Sequence, residues 1–330
     1  MLSQTKSFLK SKFPQTAINT SAVLNRKSPT LANALLGTNA LETVQFDIVH
    51  GCQLRCVGCP NSTLLPKIQR ITVEDFDRCL RNIDVTHVRR FALFNYGEPL
   101  LHNELPALLQ RVTDQAWTAE KIEISTNAQR VDWKMLEEAI KLRILTHFAI
   151  SCDGDGTPAD YEKLRPPAKW AKLIEFFERI SGLRDQHHPE LQVFTRSIVT
   201  SREARLRWEE TLAPFGITPE FRGWMALPEA KENHTGRTFT PGEGICCFQQ
   251  GNRQLYVDAS GEVVPCCAHP QASVLGNLHY QTFSQISQGE IRRKFLEQMR
   301  TGRSAMSVCG SCEISAQSVP GIELPSNVLN

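Results

Sequence analysis

The sequence predicts an α/β fold: a parallel sheet with helical crossovers, followed by a small C-terminal region of different texture. Six strand-like runs alternate with helix-like segments between residue 43 and about residue 225. Strands separated by helices call for parallel pairing with right-handed crossovers. After about residue 235 the alternation stops, and short runs set in cysteine-bearing loops replace it.

Taken in order, residues 43–49 form a β-rich run that ends in a cysteine loop. Residues 72–83 read as a helix, with Thr72 placed to cap it and acidic residues in its first turn. A strand at 87–94 precedes a helix at 103–115, and a strand at 121–127 precedes a helix at 131–142. The strand at 147–153 is followed by residues 168–183, with apolar residues at helical spacing. Segments 191–200, 202–214 and 217–225 complete the series as strand, helix and strand. Folds of this kind hold ligands at the carboxyl ends of their strands. The cysteine loop, residues 96–99, Asn127 and residues 151–153 all fall there.

Beyond the alternating part, residues 254–258 and 262–264 flank Ala259-Ser260-Gly261 as a hairpin, and 286–299 reads as one amphipathic helix. The remainder of 240–312 is loop with six cysteines, too little core to hold itself together without a metal. The expected organisation is an N-terminal extension of helix or loop (1–42), the alternating domain (43–235), the cysteine-rich domain (236–315) and a tail (316–330).

The chain has 330 residues, 41% hydrophobic and 22% charged, which excludes disordered, collagen-like and coiled-coil classes. Lys and Arg number 37 against 35 Asp and Glu, a net charge of +2 that gives no global field to draw in nucleic acid or an anionic membrane. No apolar run reaches the roughly 18 residues of a membrane span. The first 41 residues hold five basic and no acidic side chains, as in a transit peptide, but only one of the five is Arg. An N-terminal helix or arm fits them better.

Eleven cysteines are the most informative feature. An odd count, with no export signal at the start, points to a reducing cytoplasmic setting rather than a disulfide framework. Nine fall in four short groups, whereas Cys79 and Cys152 stand alone as packing residues. Cys52, Cys56 and Cys59 lie within eight residues, directly after the first strand. Three thiolates can hold a 4Fe–4S cluster and leave one iron without a protein ligand, open for chemistry. A structural zinc site would want a fourth ligand, and His50 lies only two residues from Cys52.

The Cys-x3-Cys-x2-Cys spacing after strand one resembles the signature of the radical S-adenosylmethionine (SAM) enzymes, and other segments match that family in order. Asn95-Tyr96-Gly97-Glu98-Pro99 stands where the family has Gly-Gly-Glu-Pro, whose backbone and Glu hold the methionine amino group. Tyr96 replaces the first Gly and must therefore point away from the methionine. Ile124-Ser125-Thr126-Asn127 and Ile150-Ser151-Cys152-Asp153-Gly154 resemble the segments near the SAM ribose and carboxylate. The resemblance implies a partial (β/α)6 barrel, with Gly97, Glu98, Ser125, Asn127, Ser151 and Asp153 as SAM contacts. Arg165 is either a partner of the SAM carboxylate or one half of a rim salt bridge. The implied chemistry is reductive cleavage of SAM to a 5′-deoxyadenosyl radical that takes a hydrogen atom from a substrate. A flavodoxin- or ferredoxin-type donor is the implied source of electrons.

In the C-terminal region, Gly261-Glu-Val-Val-Pro-Cys266 resembles the Gly-x4-Cys element of SPASM and twitch auxiliary-cluster domains. Cys247, Cys266, Cys309 and Cys312 are the expected ligands of one auxiliary 4Fe–4S cluster, with Cys247 preferred to Cys246 on spacing. A four-cysteine zinc knuckle shares that spacing. The 18 residues after Cys312 contain no cysteine for a second auxiliary cluster. Cys267 stands where sulfatase-maturing relatives carry an Asp base, so that base does not transfer; a spare thiol there is either a hydrogen-atom donor or a small buried packing residue. Trp224, His234, Arg237 and His269 border the expected substrate cavity. The expected reaction is oxidation of a small molecule or peptide side chain, with the auxiliary cluster as electron acceptor. Redox-neutral epimerisation or coupling and a non-catalytic iron–sulfur carrier are the alternatives.

Overall fold

In the computed structural model, residues 39–65, 67–225, 227–228, 238 and 240–316 are described. The predicted extension up to residue 38, the 235/236 boundary, His234, Arg237 and the tail from 317 lie outside them. The first strand, β1 (Ala40–Phe46), is followed by a two-residue ladder of β2 (Val49–His50) and β3 (Gln69–Arg70), with a helical turn α1 (Asn61–Leu64) between. Next come α2 (Val73–Arg81), β4 (His87–Ala92), α3 (Leu105–Thr113), β5 (Thr118–Thr126), α4 (Trp133–Lys141) and β6 (His147–Ser151). Helices α5 (Pro158–Leu164) and α6 (Trp170–His187), strand β7 (Gln192–Ile198), α7 (Arg202–Leu212) and β8 (Thr218–Arg222) complete the alternation. Strands β1, β4, β5, β6, β7 and β8 pair in that order, all parallel, as the predicted six-stranded α/β unit. The predicted Thr72 cap of α2 is present, accepting from the Asp75 N–H. Helix α5 went unread in the sequence, although Thr157 followed by Pro158 carries its start signal.

The sheet has two unlike faces because side chains alternate along each strand. One face buries Val44, Phe46, Phe91, Ile124, Phe148 and Ile150 under the helices. Phe76 of α2 meets Phe46 edge-on at 4.9 Å and Phe91 at 6.5 Å, and Phe176 of α6 lies 6.1 Å from Phe148. The other face carries Gln45, Arg90, Glu123, Ser125, Ser151, Arg196 and Glu220, held in register by the parallel ladders.

The C-terminal region departs from the sequence-based expectation in two ways. Its hairpin, β9 (Gln254–Val257) and β10 (Glu262–Val264), forms as predicted, with Gly261 at positive φ in the turn. However, β9 also pairs in parallel with β1, and β10 pairs with β11 (Gly276–Asn277), so one nine-stranded sheet runs through both parts. Leu255, Val257, Val263 and Leu278 join the core on these strands and loops. The region is therefore anchored by sheet and core as well as by any metal it binds. The single helix expected at 286–299 is two, α8 (Phe283–Gln288) and α9 (Glu290–Thr301). A capping box of Thr282 and Gln285 starts the first, and extended backbone at Gly289 (φ −68°, ψ 159°) breaks the run. A Cβ at Gly289 would sit 2.8 Å from the Gln285 carbonyl oxygen.

Phe76 is fully buried between the first two long strands and their helix. Phe76→Ala should lower unfolding free energy by about 3–5 kcal/mol, read from urea denaturation of the full chain.

Candidate functional site

Strand β1 ends at Phe46, and the next residue, Asp47, is a buried carboxylate. Its oxygens accept hydrogen bonds from the backbone N–H groups of Asn95 (3.3 Å), Tyr96 (3.2 Å) and Gly97 (3.1 Å). This side chain shapes the 95–97 loop. Burial pushes the Asp47 carboxyl up to about 7 against the opposing pull of those three donors. Gly97 is needed for space: a Cβ there would lie 1.4 Å from the Val49 carbonyl oxygen. His50 Nε2 lies 3.8 Å from Asp47 and 3.9 Å from Asp258, and accepts from the Ala259 N–H, so the C-terminal hairpin turn reaches the same corner.

The cysteine loop of 51–60 is pinned on both sides. Glu98 N–H donates to the Gly51 carbonyl (3.1 Å), while Arg55 and Val57 N–H donate to the carbonyls of Pro166 and Leu164. Asn127 Nδ2 donates to Cys52 Sγ at 3.2 Å, and Gln53 Nε2 donates to Asn127 Oδ1 at 2.9 Å. Cys52, Cys56 and Cys59 thus face the carboxyl ends of β4 to β6. Burial is the main force pushing the Cys52 thiol up to about 12 and Cys59 up to about 11. Burial also raises Cys56, while the nearby Arg165 guanidinium opposes that rise.

The residues expected to hold SAM gather around that loop. Glu98 is buried, accepting from Thr126 Oγ1 (2.7 Å), Asn127 N–H (2.7 Å) and Leu100 N–H (3.0 Å). Its carboxylate therefore holds two strand ends together, and burial raises it to about 6. Ser125 and Ser151 face each other at 3.2 Å between their hydroxyls on adjacent strands. Arg165 pairs with Asp153, whose other oxygen accepts from the Ile198 N–H. The rim salt bridge thus exists, and Arg165 Nε is buried without a hydrogen-bond partner among the described residues.

In the C-terminal region the buried Arg303 guanidinium donates to the carbonyls of Cys309 (3.0 Å), Gly244 (3.1 Å), Cys312 (3.1 Å) and Ile314 (2.7 Å). The Cys309–Cys312 loop is wrapped around this one side chain. Cys246 belongs to the same group, since its charge acts on Cys266, Cys267 and Cys309 and it feels that of Cys312. Cys247 is half-buried beside it, and its N–H donates to the Ser315 carbonyl. The backbone is extended at Cys246 (φ −68°, ψ 159°) and turns helical at Cys247. Tyr96 does point away from its own loop: its hydroxyl donates to the Cys267 carbonyl at 2.5 Å, joining the two halves of the site. Cys267 is half-buried, and burial raises its thiol to about 11. His269 is buried with Nδ1 accepting from the Gln271 N–H, and Trp224 lies half-buried just past β8. Cys79 and Cys152 are packed in the core as expected, the latter 3.2 Å from Ser197 Oγ.

A model of the radical SAM superfamily matches residues 47–185, and one of the SPASM iron–sulfur cluster-binding domain matches residues 246–313. The chain belongs to the radical SAM superfamily. Among solved structures it is similar to BtrN in complex with AdoMet (SAM) and 2-DOIA, at 17% identity and TM-score 0.51, covering 86% of this chain and 97% of that one. It is also similar to anSMEcpe with bound AdoMet, at 15% identity and TM-score 0.57, covering 82% and 86%. The peptide-bound form of anSMEcpe with AdoMet gives 15% identity and TM-score 0.55, covering 83% and 89%. At these identities the likeness is one of fold. No curated protein matches the sequence.

A radical SAM enzyme with a SPASM-type domain takes a 4Fe–4S cluster, SAM and auxiliary iron–sulfur ligation. The donor set of the barrel fits. Burial disfavours ionisation of its thiols, and iron replacing the proton relieves that cost. Among the described residues no three His, Cys, Asp or Glu side chains gather closely enough for a single metal ion. Neither Asp47 nor Arg303 was anticipated from the sequence. The only local signal for Asp47 was an acid closing an apolar strand, and Arg303 gave none.

Two outcomes test these residues. The folded Asp47 carboxyl titrates near 7 and the unfolded one near about 3.9. Its contribution is therefore full below the unfolded value and is lost as pH rises through the folded one. Asp47→Asn should then cost roughly 2–3 kcal/mol more stability at pH 5 than at pH 8 by urea unfolding; equal costs would remove the titration from Asp47. Arg303→Lys offers one nitrogen to four carbonyls, and should lower reconstituted iron from about eight to about four per chain while the barrel cluster remains.

Proposed function

We propose that this radical SAM enzyme oxidises a small molecule or a peptide side chain, removing two hydrogens from it. Cys52, Cys56 and Cys59 hold the SAM-binding cluster, and Gly97, Glu98, Ser125, Asn127, Ser151 and Asp153 shape the SAM site. Cys247, Cys266, Cys309 and Cys312 hold the auxiliary cluster, with Cys246 as the alternative first ligand. The observation that carries the reading is the wrap of the Cys309–Cys312 loop around Arg303: a four-thiolate set completed there would leave no iron open for substrate, which suits electron transfer rather than binding. Bound in these places, the cofactors supply a 5′-deoxyadenosyl radical that takes a hydrogen atom and an acceptor for the electron that follows, a proton leaving to water. The protein's own work is to hold the loops in place through Asp47, Glu98 and Tyr96, and to exclude water with the buried strand ends. Arg165 stays with Asp153 and positions it. The solved neighbours contain a small ligand in one case and a peptide in another, so the fold accommodates either class.

One observation favours a second reading. The Cys267 thiol lies half-buried with Tyr256 hydrogen-bonded to it, and burial keeps it protonated. A protonated thiol there suits return of a hydrogen atom in epimerisation. The setting we assign is the cytosol, with a flavodoxin- or ferredoxin-type donor; the eleven free thiols fit that compartment. Among the described residues no helix is long and apolar enough to cross a membrane.

Iron and sulfide per chain after anaerobic reconstitution test the architecture. Wild type should hold about eight irons, and the Cys52/Cys56/Cys59→Ala variant about four, with SAM cleavage lost. About four irons falling to none would sink the auxiliary acceptor. A two-hydrogen mass loss in the product then marks oxidation, and solvent deuterium in it marks epimerisation dependent on Cys267.

A further inference from the structure

The turn that carries Cys266 is held by two hydrogen bonds that the cysteine spacing does not require. Gln249 Nε2, from within the C-terminal region, donates to the Pro265 carbonyl at 2.5 Å. The Tyr96 hydroxyl, from the other half of the chain, donates to the Cys267 carbonyl at 2.5 Å. Cys266 stands between these two anchored carbonyls. Burial raises its thiol well above the usual range, while the backbone N–H groups of Ala268 and His269 oppose that rise by hydrogen bonding to the sulfur.

The Cys267 carbonyl and the Ala268 N–H are the two ends of one planar peptide group. Tyr96 draws electron density toward that carbonyl oxygen, and the N–H at the other end becomes a stronger donor. Hydrogen bonds joined in this way polarise one another, and a low local dielectric strengthens them. The contacts therefore run from the Tyr96 phenol through a single peptide group to the Cys266 sulfur. Tyr96 is itself fixed at the start of that path. Its N–H donates to Asp47 at 3.2 Å, and its carbonyl accepts from Asn61 Nδ2. Burial, then the charges of Cys266, Cys267, Asp47 and Cys59, raise its phenol well above the ordinary value and keep it a donor. A side chain that feels both Cys266 and Cys59 stands between the two cysteine groups.

We propose that Tyr96 is a positioning residue of the auxiliary cluster, raising that cluster's reduction potential by polarising the Cys267–Ala268 peptide against Cys266. The inference rests on Cys266 ligating an auxiliary cluster, as in the function proposed above, and adds what sets that cluster's strength as an acceptor. Reduction adds negative charge to a cluster and its sulfurs, so a donor aimed at a sulfur stabilises the reduced form more than the oxidised one. Hydrogen bonds to the sulfurs are among the determinants of such potentials. A higher potential makes removal of the substrate's second electron more favourable. The donor comes from the loop of Gly97 and Glu98, so the acceptor is tuned from the segment proposed to seat SAM. A glycine at position 96 has no side chain to reach that carbonyl.

The test measures the midpoint potentials of both clusters in anaerobically reconstituted full-length protein, by redox titration followed with electron paramagnetic resonance. Tyr96→Phe keeps the ring and removes the hydroxyl. It should leave iron at about eight per chain and the barrel potential unchanged. The auxiliary potential should fall by a roughly three- to tenfold drop in its reduction equilibrium constant, about 30–60 mV for one electron. The Cys52/Cys56/Cys59→Ala variant keeps the auxiliary cluster alone, and adding Tyr96→Phe to it should produce the same fall. Tyr280 is 83% exposed, and Tyr280→Phe should move neither potential. An auxiliary potential unchanged in Tyr96→Phe, or an equal shift of both clusters, overturns the proposal. Loss of the auxiliary iron in Tyr96→Phe also overturns it, by assigning the hydroxyl a purely structural role. A wild type with a single cluster instead removes the auxiliary-cluster reading, before any Tyr96 variant is compared.

Discussion

The Asp47 carboxylate stands where the first strand hands the chain to the cysteine loop, and much of the site depends on it. Three backbone N–H groups of the 95–97 loop converge on its two oxygens. A buried carboxylate is unfavourable alone, and those donors make it tolerable. In return it fixes a loop that has no regular structure of its own. Gly97 then lies against the Val49 carbonyl, where only a glycine fits, and the next residue, Glu98, is aimed at the ends of β5. One side chain thus sets the relative positions of two elements almost fifty residues apart in sequence.

The same corner explains why the chain works as one body. His50 lies between Asp47 and Asp258, and Tyr96 reaches across to the Cys267 carbonyl. The substitution of Tyr96 for the family's first glycine therefore has a structural use: its hydroxyl ties the SAM-motif loop to the auxiliary region. Pairing of β9 with β1 reinforces that tie by a ladder of backbone hydrogen bonds. A displacement of the auxiliary hairpin would break the ladder, the phenol contact and the histidine contact together.

The two faces of the sheet divide the labour. The helix-covered face is packed with aromatic and branched side chains and supplies stability. The opposite face carries a charge cluster in which Arg90, Lys121 and Arg196 converge on the buried Glu123. Alternation along parallel strands produces both from the same residues, so a charged face of this kind costs the core nothing.

The sequence by itself determined the alternation that makes a parallel sheet, the Thr72 cap, the hairpin around Gly261 and the cysteine spacings. These are local signals, read within a dozen residues, and local physics decides them. Tertiary structure decided the rest. Pairing of β9 with β1 joins segments two hundred residues apart, and nothing in either run specifies its partner. The break at Gly289 turned on an extended backbone that helical spacing conceals. Asp47, Arg303 and the Glu123 cluster were illegible for one reason. Each draws its meaning from partners on distant strands and loops, and a charged side chain in a one-dimensional sequence does not reveal what will surround it once the chain has folded.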